Sequence, residues 1–103
     1  PKSAAAYGQM DRARTSILLN IAEGNGRFTA ADRCRFFDIA RGSCLECAAC
    51  LDILGIKGLL GGPDLEHGKS ILRDVVCLLI GLIRSQSSDR LHEEAPHYGT
   101  DCS

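Results

Sequence analysis

The sequence predicts an all-α fold: an antiparallel, up-down helical bundle of the four-helix-bundle type, with three long helices visible in this chain. Three observations carry that reading. Apolar and small residues recur at spacings of three and four from residue 4 to about residue 84. Clusters of Gly, Asn and Pro interrupt the pattern around residues 24–26 and 55–63. The aromatic fraction is 5% with no Trp, so Ala, Leu, Ile, Gly and Cys must supply the core, which suits helices at close range better than a β-sandwich. At 103 residues the chain is one domain with a single modest core, near the size at which a bundle gains by associating with copies of itself. We divide it into a bundle domain, 1–85, and a polar C-terminal tail, 86–103, expected to be mobile.

The first helix is expected from Ala4 to about Ile21, because Tyr7, Met10, Ala13, Ile17 and Ile21 fall on one helical face. Glu23-Gly-Asn-Gly-Arg27 should end it, since Gly and Asn tolerate the left-handed conformations that close helices. Thr29 is placed to cap the second helix, with Asp32 as a capping-box acid. That helix should run to about Leu54 on a heptad seam of Phe36, Ala40, Ser43, Cys47, Cys50 and Leu54, whose small residues admit another backbone closely. Gly55, Gly58, Gly61 and Gly62 break the pattern. Pro63 or Asp64 should open the third helix, where Pro is tolerated in the first turn. It is expected to reach about Arg84 and carries two adjacent stripes, Leu72-Val76-Leu79-Ile83 and Ile71-Val75-Leu78-Leu82. A helix apolar on two sides must bury both, inside the bundle or against another subunit. Beyond it the tail has too little apolar surface to offset its ordering entropy.

The formal net charge is -1, which gives the whole molecule no bias toward polyanions or membranes. The halves differ: residues 1–41 hold seven Lys or Arg against four acids, and residues 42–103 hold five against nine. The longest apolar run, Val75 to Ile83, is nine residues, far below the roughly 20 that span a bilayer. No secretory signal is visible at the N-terminus. The expectation is a soluble, cytoplasmic protein whose six Cys are reduced thiols rather than a disulfide framework.

Two linked segments stand out: Asn20-Ile-Ala-Glu-Gly-Asn-Gly-Arg27, and then Arg35-Phe-Phe-Asp-Ile-Ala-Arg-Gly-Ser43 with Glu46 beyond. Together they resemble the small bacterial four-helix-bundle proteins known as 23S ribosomal RNA intervening-sequence proteins, over residues 1 to about 84. The resemblance implies an antiparallel four-helix bundle, in some members a pentameric ring, with a further helix expected ahead of Pro1. It makes Asn20, Glu23 and Gly24 the close of the first helix, and Arg35, Phe36, Ile39, Ala40, Gly42, Ser43 and Glu46 the packing spine of the second. Leu18-Leu19 stands where family members often have Pro-Ser, so a bend there should be weaker.

Chemistry is sparse. Cys44-x-x-Cys47-x-x-Cys50 has the local spacing of an iron–sulfur run. On a helix, however, these thiols fan out over roughly 120° instead of converging, so they read as small hydrophobes in the seam. His67, His92 and His97 show no zinc spacing toward the cysteines. Glu23 and Glu46 could do acid-base work only in a shared pocket. The structural alternative is that Glu46 pairs with Arg12 or Arg14 and Glu23 accepts backbone hydrogen bonds at its turn. Nothing resembles a phosphate loop, nucleophile elbow or triad. We therefore expect no enzyme, no catalytic or metal residue, no cofactor, no small-molecule substrate and no membrane partner. The expected role is self-assembly into a homo-oligomer, with the pentamer implied by resemblance. The competing reading is RNA or DNA binding through Arg12, Arg14, Arg27, Arg33 and Arg41 on the first two helices, since Arg binds phosphate oxygens bidentately.

Overall fold

The computed structural model describes residues 4–90, which form three helices: α1 (Ala4–Asn25), α2 (Ala30–Ile56) and α3 (Gly62–Arg90). The packing of α2 sets the architecture. α1 lies along one side of α2 and α3 along the other, and α1 and α3 barely meet. Both junctions are antiparallel. Gly24 lies at Phe37 and Met10 at Cys47 in the first, while Cys34 lies at Ile83 and Leu51 at Gly68 in the second. The Cα trace measures 51 × 27 × 13 Å. Since adjacent helices pack 8–10 Å apart, those dimensions describe a layer of three helices side by side. The described residues thus give an all-helical layer of three helices, the three expected in this chain.

Local chemistry explains the ends. Thr29 has extended backbone and its hydroxyl accepts from the Asp32 amide at 3.1 Å, capping α2 as expected. At the other end Gly58 takes φ 72°, the Leu59 amide bonds the Leu54 carbonyl at 2.9 Å and the Gly58 amide bonds that of Gly55 at 3.0 Å. Those two bonds make a Schellman closure, which needs a residue free of Cβ strain at its left-handed position. α3 begins at Gly62 with Pro63 and Asp64 in its first turn, and Asp64 suits the positive end of the helix dipole.

The structure corrects three boundaries and one core position. α1 runs on through Asn25, so Gly24 does not end it. Gly24 is helical and buried because a Cβ there would stand 2.6 Å from Phe37 Cε1. α2 extends to Ile56, and α3 to Arg90, so the segment expected as tail begins as helix; residues 91–103 lie outside the described residues. Phe37, not Phe36, is the aromatic in the seam, at 1% exposure.

The core is one cluster of Ala13, Ile17, Phe37, Ala40, Cys44, Cys47 and Leu79, closed over by Met10 and Ile21 from α1 and Leu72, Val75, Val76 and Ile83 from α3. Ala40, with no exposed surface, lets its neighbours close over α2. Two glycines act as sockets at the α2–α3 junction: a Cβ on Gly55 would stand 2.9 Å from Leu65, and one on Gly68 the same distance from Leu51. The first junction also holds a small polar group, with Ser16 Oγ 2.8 Å from Ser43 Oγ and Asn20 Nδ2 donating to the Ser16 carbonyl at 2.8 Å. Its members satisfy one another, so this group fixes register with little desolvation penalty. Among the described residues, the pairs Arg14–Asp11, Arg27–Glu23, Arg41–Asp38 and Lys69–Asp52 are surface ion pairs, each contributing about 0–1 kcal/mol. Packing along α2 holds the fold.

Candidate interaction surfaces

A single layer leaves helix faces without neighbours, and here those faces are apolar. On α3, the stripe containing Leu79 is turned to α2, whereas Ile71, Leu78 and Leu82 of the second stripe are 49%, 70% and 37% exposed. The expectation that α3 is apolar on two sides is met, and among the described residues three of the four side chains of the second stripe are exposed, Val75 alone packing on the core. On α1, Leu18 and Leu19 stand out, exposed by about two thirds.

α2 also has two faces. Phe37, Ala40, Ser43, Cys44, Cys47, Cys50 and Leu54 are buried. At 100° per residue, Arg35, Ile39, Gly42, Glu46, Ala49 and Ile53 fall along a second stripe, and all six are exposed. The motif that carries the family resemblance therefore divides between the faces. Ala40 and Ser43 pack inward, while Arg35, Ile39, Gly42 and Glu46 look out.

The arginines scatter. Arg14 pairs with Asp11, Arg27 with Glu23, and Arg41 with Asp38 at 2.6 Å, all on or beside their own helix. Arg33 instead donates to Gln86 Oε1 on α3 at 3.1 Å. Arg12 lines an open hollow with Asp11, Thr15, Ser16, Leu19 and Asn20. The acids expected to serve as structural partners behave differently from expectation. Glu23 meets the Arg27 side chain, and Arg14 prefers Asp11, so Glu46 forms no ion pair with α1. Around the α1–α2 turn the structure gathers what sequence reading largely missed. The Arg27 and Arg35 guanidinium carbons lie 4.8 and 4.9 Å from the Phe36 ring centroid. Nearby Phe28 is 94% exposed, lining a hollow of about 410 Å³ with Glu23, Arg27 and Asp32. The signals for this corner in the sequence are the cluster of arginines around Phe28 and the Phe36-Phe37 run that Arg35 precedes.

Cys44, Cys47 and Cys50 are buried. Burial pushes the Cys44 and Cys47 thiols above their ordinary value, reinforced by Cys47 in the first case and by Cys50 in the second. Raised thiols are poor nucleophiles and poor ligands. Among the described residues no group of three His, Cys, Asp or Glu is placed to hold a metal ion, and no helix is long and apolar enough to cross a membrane. The organised features of the described residues are exposed helix faces.

The described residues thus make a small all-α protein whose helices carry exposed apolar side chains. Its particular family is settled by comparison: a sequence model of the 23S rRNA-intervening sequence protein family matches residues 2–81, and the chain belongs to that family. No curated protein and no solved structure matches it.

Proposed function

We propose that this protein is a non-catalytic helical module that acts by assembling into a homo-oligomer. The supporting observation is the outer stripe of α3, in which Ile71, Leu78 and Leu82 are exposed while Val75 between them packs on the core. Single exposed apolar residues are ordinary, but an ordered stripe of them marks an interaction surface. The pentameric ring implied by the family resemblance is the subunit number to test. Light scattering on a sizing column, over a wide range of protein concentration, should give a discrete mass of several chains. Leu78→Glu should lower that mass while far-ultraviolet circular dichroism stays unchanged. A mass of one chain at every concentration would refute the proposal.

A second reading, nucleic-acid binding, is favoured by one observation: the corner where Arg27 and Arg35 stack on Phe36 beside exposed Phe28. Cationic planes with a free aromatic ring suit an unstacked base and its phosphates. Single-stranded RNA should then bind with an affinity that falls steeply as salt rises. Phe28→Ala should weaken binding by about 1–3 kcal/mol. Salt-insensitive binding, or none, removes this reading.

A further inference from the structure

We propose that copies of this chain join head to tail, the outward stripe of α3 in one copy lying antiparallel on the outward stripe of α2 in the next. This rests on the assembly reading above and adds the face that receives α3, the direction and the register.

The first observation is that the two stripes match when one is reversed. On α3, His67, Ile71, Asp74, Leu78 and Gly81 follow spacings of four and three, and all five are exposed. Phe28, just ahead of α2, and Ala31, Arg35, Ile39 and Gly42 within it are exposed as well. Seven residues, about 10 Å of helix, separate Phe28 from Arg35 and Arg35 from Gly42. The same interval separates Gly81 from Asp74 and Asp74 from His67. Laid antiparallel with Arg35 at Asp74, the stripes bring Phe28 to Gly81, Ala31 to Leu78, Ile39 beside Ile71, and Gly42 to His67. Bulky side chains then meet small ones, the two isoleucines meet each other, and the charges are opposite.

The second observation concerns the glycines. Glycine weakens a helix interior, and within this chain three helical glycines are used as sockets: Gly24 for Phe37, Gly55 for Leu65 and Gly68 for Leu51. Past the first residue of a helix, two others, Gly42 and Gly81, have nothing within 4 Å of where a Cβ would stand, and neither has a left-handed backbone that requires glycine. One lies on each outward stripe, and the single register above fills both. Phe28, 94% exposed, enters the Gly81 socket as Phe37 enters that of Gly24.

Charge selects the register. Arg35 and Asp74 make no ion pair among the described residues, and a guanidinium held over the Phe36 ring still offers its N–H fork to a carboxylate. Sliding the antiparallel stripes by one heptad would set Arg35 at Gly81 or at His67 and lose the pair. A parallel arrangement could keep it, but would set Ile39 on Leu78 and Gly42 on Gly81, bulk against bulk and hollow against hollow. Direction also agrees with closure. Because α2 and α3 are antiparallel within a chain, turning a copy about an axis along the helices sets its α3 antiparallel to the α2 of its neighbour, whatever the number of copies. A contact between unlike faces repeats around such an axis and closes a ring of odd or even number, five included.

The test is solution mass and dissociation constant, measured by sedimentation on the full chain, with circular dichroism to verify that each variant folds. Ile39→Glu breaks only the α2 face and Leu78→Glu only the α3 face, so each alone should sediment as a single chain. Their equal mixture retains one intact contact and should give a mass of two chains and no more. Arg35→Asp and Asp74→Arg should each raise the dissociation constant on the order of tenfold or more, and the two changes combined in one chain should restore wild-type assembly. An Ile39→Glu variant that assembles as wild type while Leu78→Glu does not would overturn the α2 docking face and leave assembly through α3 standing. A mixture that stays single-chain would overturn the head-to-tail contact, and failure of the combined charge swap would overturn its register. A single-chain mass for wild type at all concentrations would overturn both this contact and the assembly reading. Single-stranded RNA binding that is lost in Arg35→Asp with no change of mass would assign the α2 face to nucleic acid and overturn the contact.

Discussion

The two faces of α2 carry the same heptad spacing and have opposite fates. Inward, Phe37, Ala40, Cys44, Cys47 and Leu54 are at most 4% exposed. Outward, Ile39, Gly42, Ala49 and Ile53 repeat the alternation of bulky and small residues with no neighbour over them. The 27-residue helix is patterned on both faces, and the described residues bury only the inner one. Helical periodicity identifies a face fit for packing; it does not say whether the partner lies in the same chain.

Perturbing the inner face should have the largest effect. Phe37 is the bulkiest fully buried side chain, and it fills the space against Gly24. Phe37→Ala should lower unfolding stability by about 3–5 kcal/mol, a large part of what a small domain has. The measurement is chemical denaturation followed by circular dichroism in dilute solution. A loss under about 1 kcal/mol would mean that α1 does not depend on this contact.

Overpacking comes next. Gly24→Ala would put a methyl 2.6 Å from the Phe37 ring, and Ala40→Leu would force a long side chain into a position with no exposed surface. Each should cost about 1–3 kcal/mol. The same type of substitution outside should do the reverse. Gly42→Ala adds a methyl in open space and should raise the stability of the dilute, dissociated protein by about 1 kcal/mol from helix propensity alone. A destabilised Gly42→Ala would show that the outer face is covered within the chain, and would erase the distinction between the faces.

Much of this layout was legible in the sequence, and the omissions share a cause. Cap chemistry is local, so the Thr29 cap could be read from a few neighbours. So could the doubled stripe of α3, because periodicity is a property of one helix. Gly24 was misjudged because its role depends on a ring thirteen residues away in the next helix. Phe36 and Phe37 were exchanged because adjacent residues differ by only 100° and both fit a heptad tolerably. Glu46 was given a partner on α1, but Arg14 had a nearer acid in Asp11. Local chemistry was readable, and the choices between equivalent contacts across helices were not. The outward residues belong to the second class, since Arg35, Ile39, Gly42 and Glu46 look like packing residues in sequence and are exposed among the described residues.

The smallest expected effect concerns the cysteines of the inner face. Cys44 and Cys47 titrate above the ordinary thiol value of 9.0 because burial disfavours the thiolate. In the unfolded chain these thiols ionise near that ordinary value, so above it the unfolded state binds fewer protons than the folded one, and unfolding becomes easier as pH rises. The contribution is complete below pH 9.0 and is lost as pH climbs through the raised folded-state values. The unfolding midpoint should therefore be insensitive to these groups through neutral pH and should decline above 9. Replacing both residues by Ala should flatten that decline, at a separate constant cost in packing. The outer face has no buried thiol, so Gly42→Ala should shift the midpoint equally at every pH. A decline that persists in the double Ala variant would place the alkaline sensitivity elsewhere, and the inner face would then differ from the outer in packing alone.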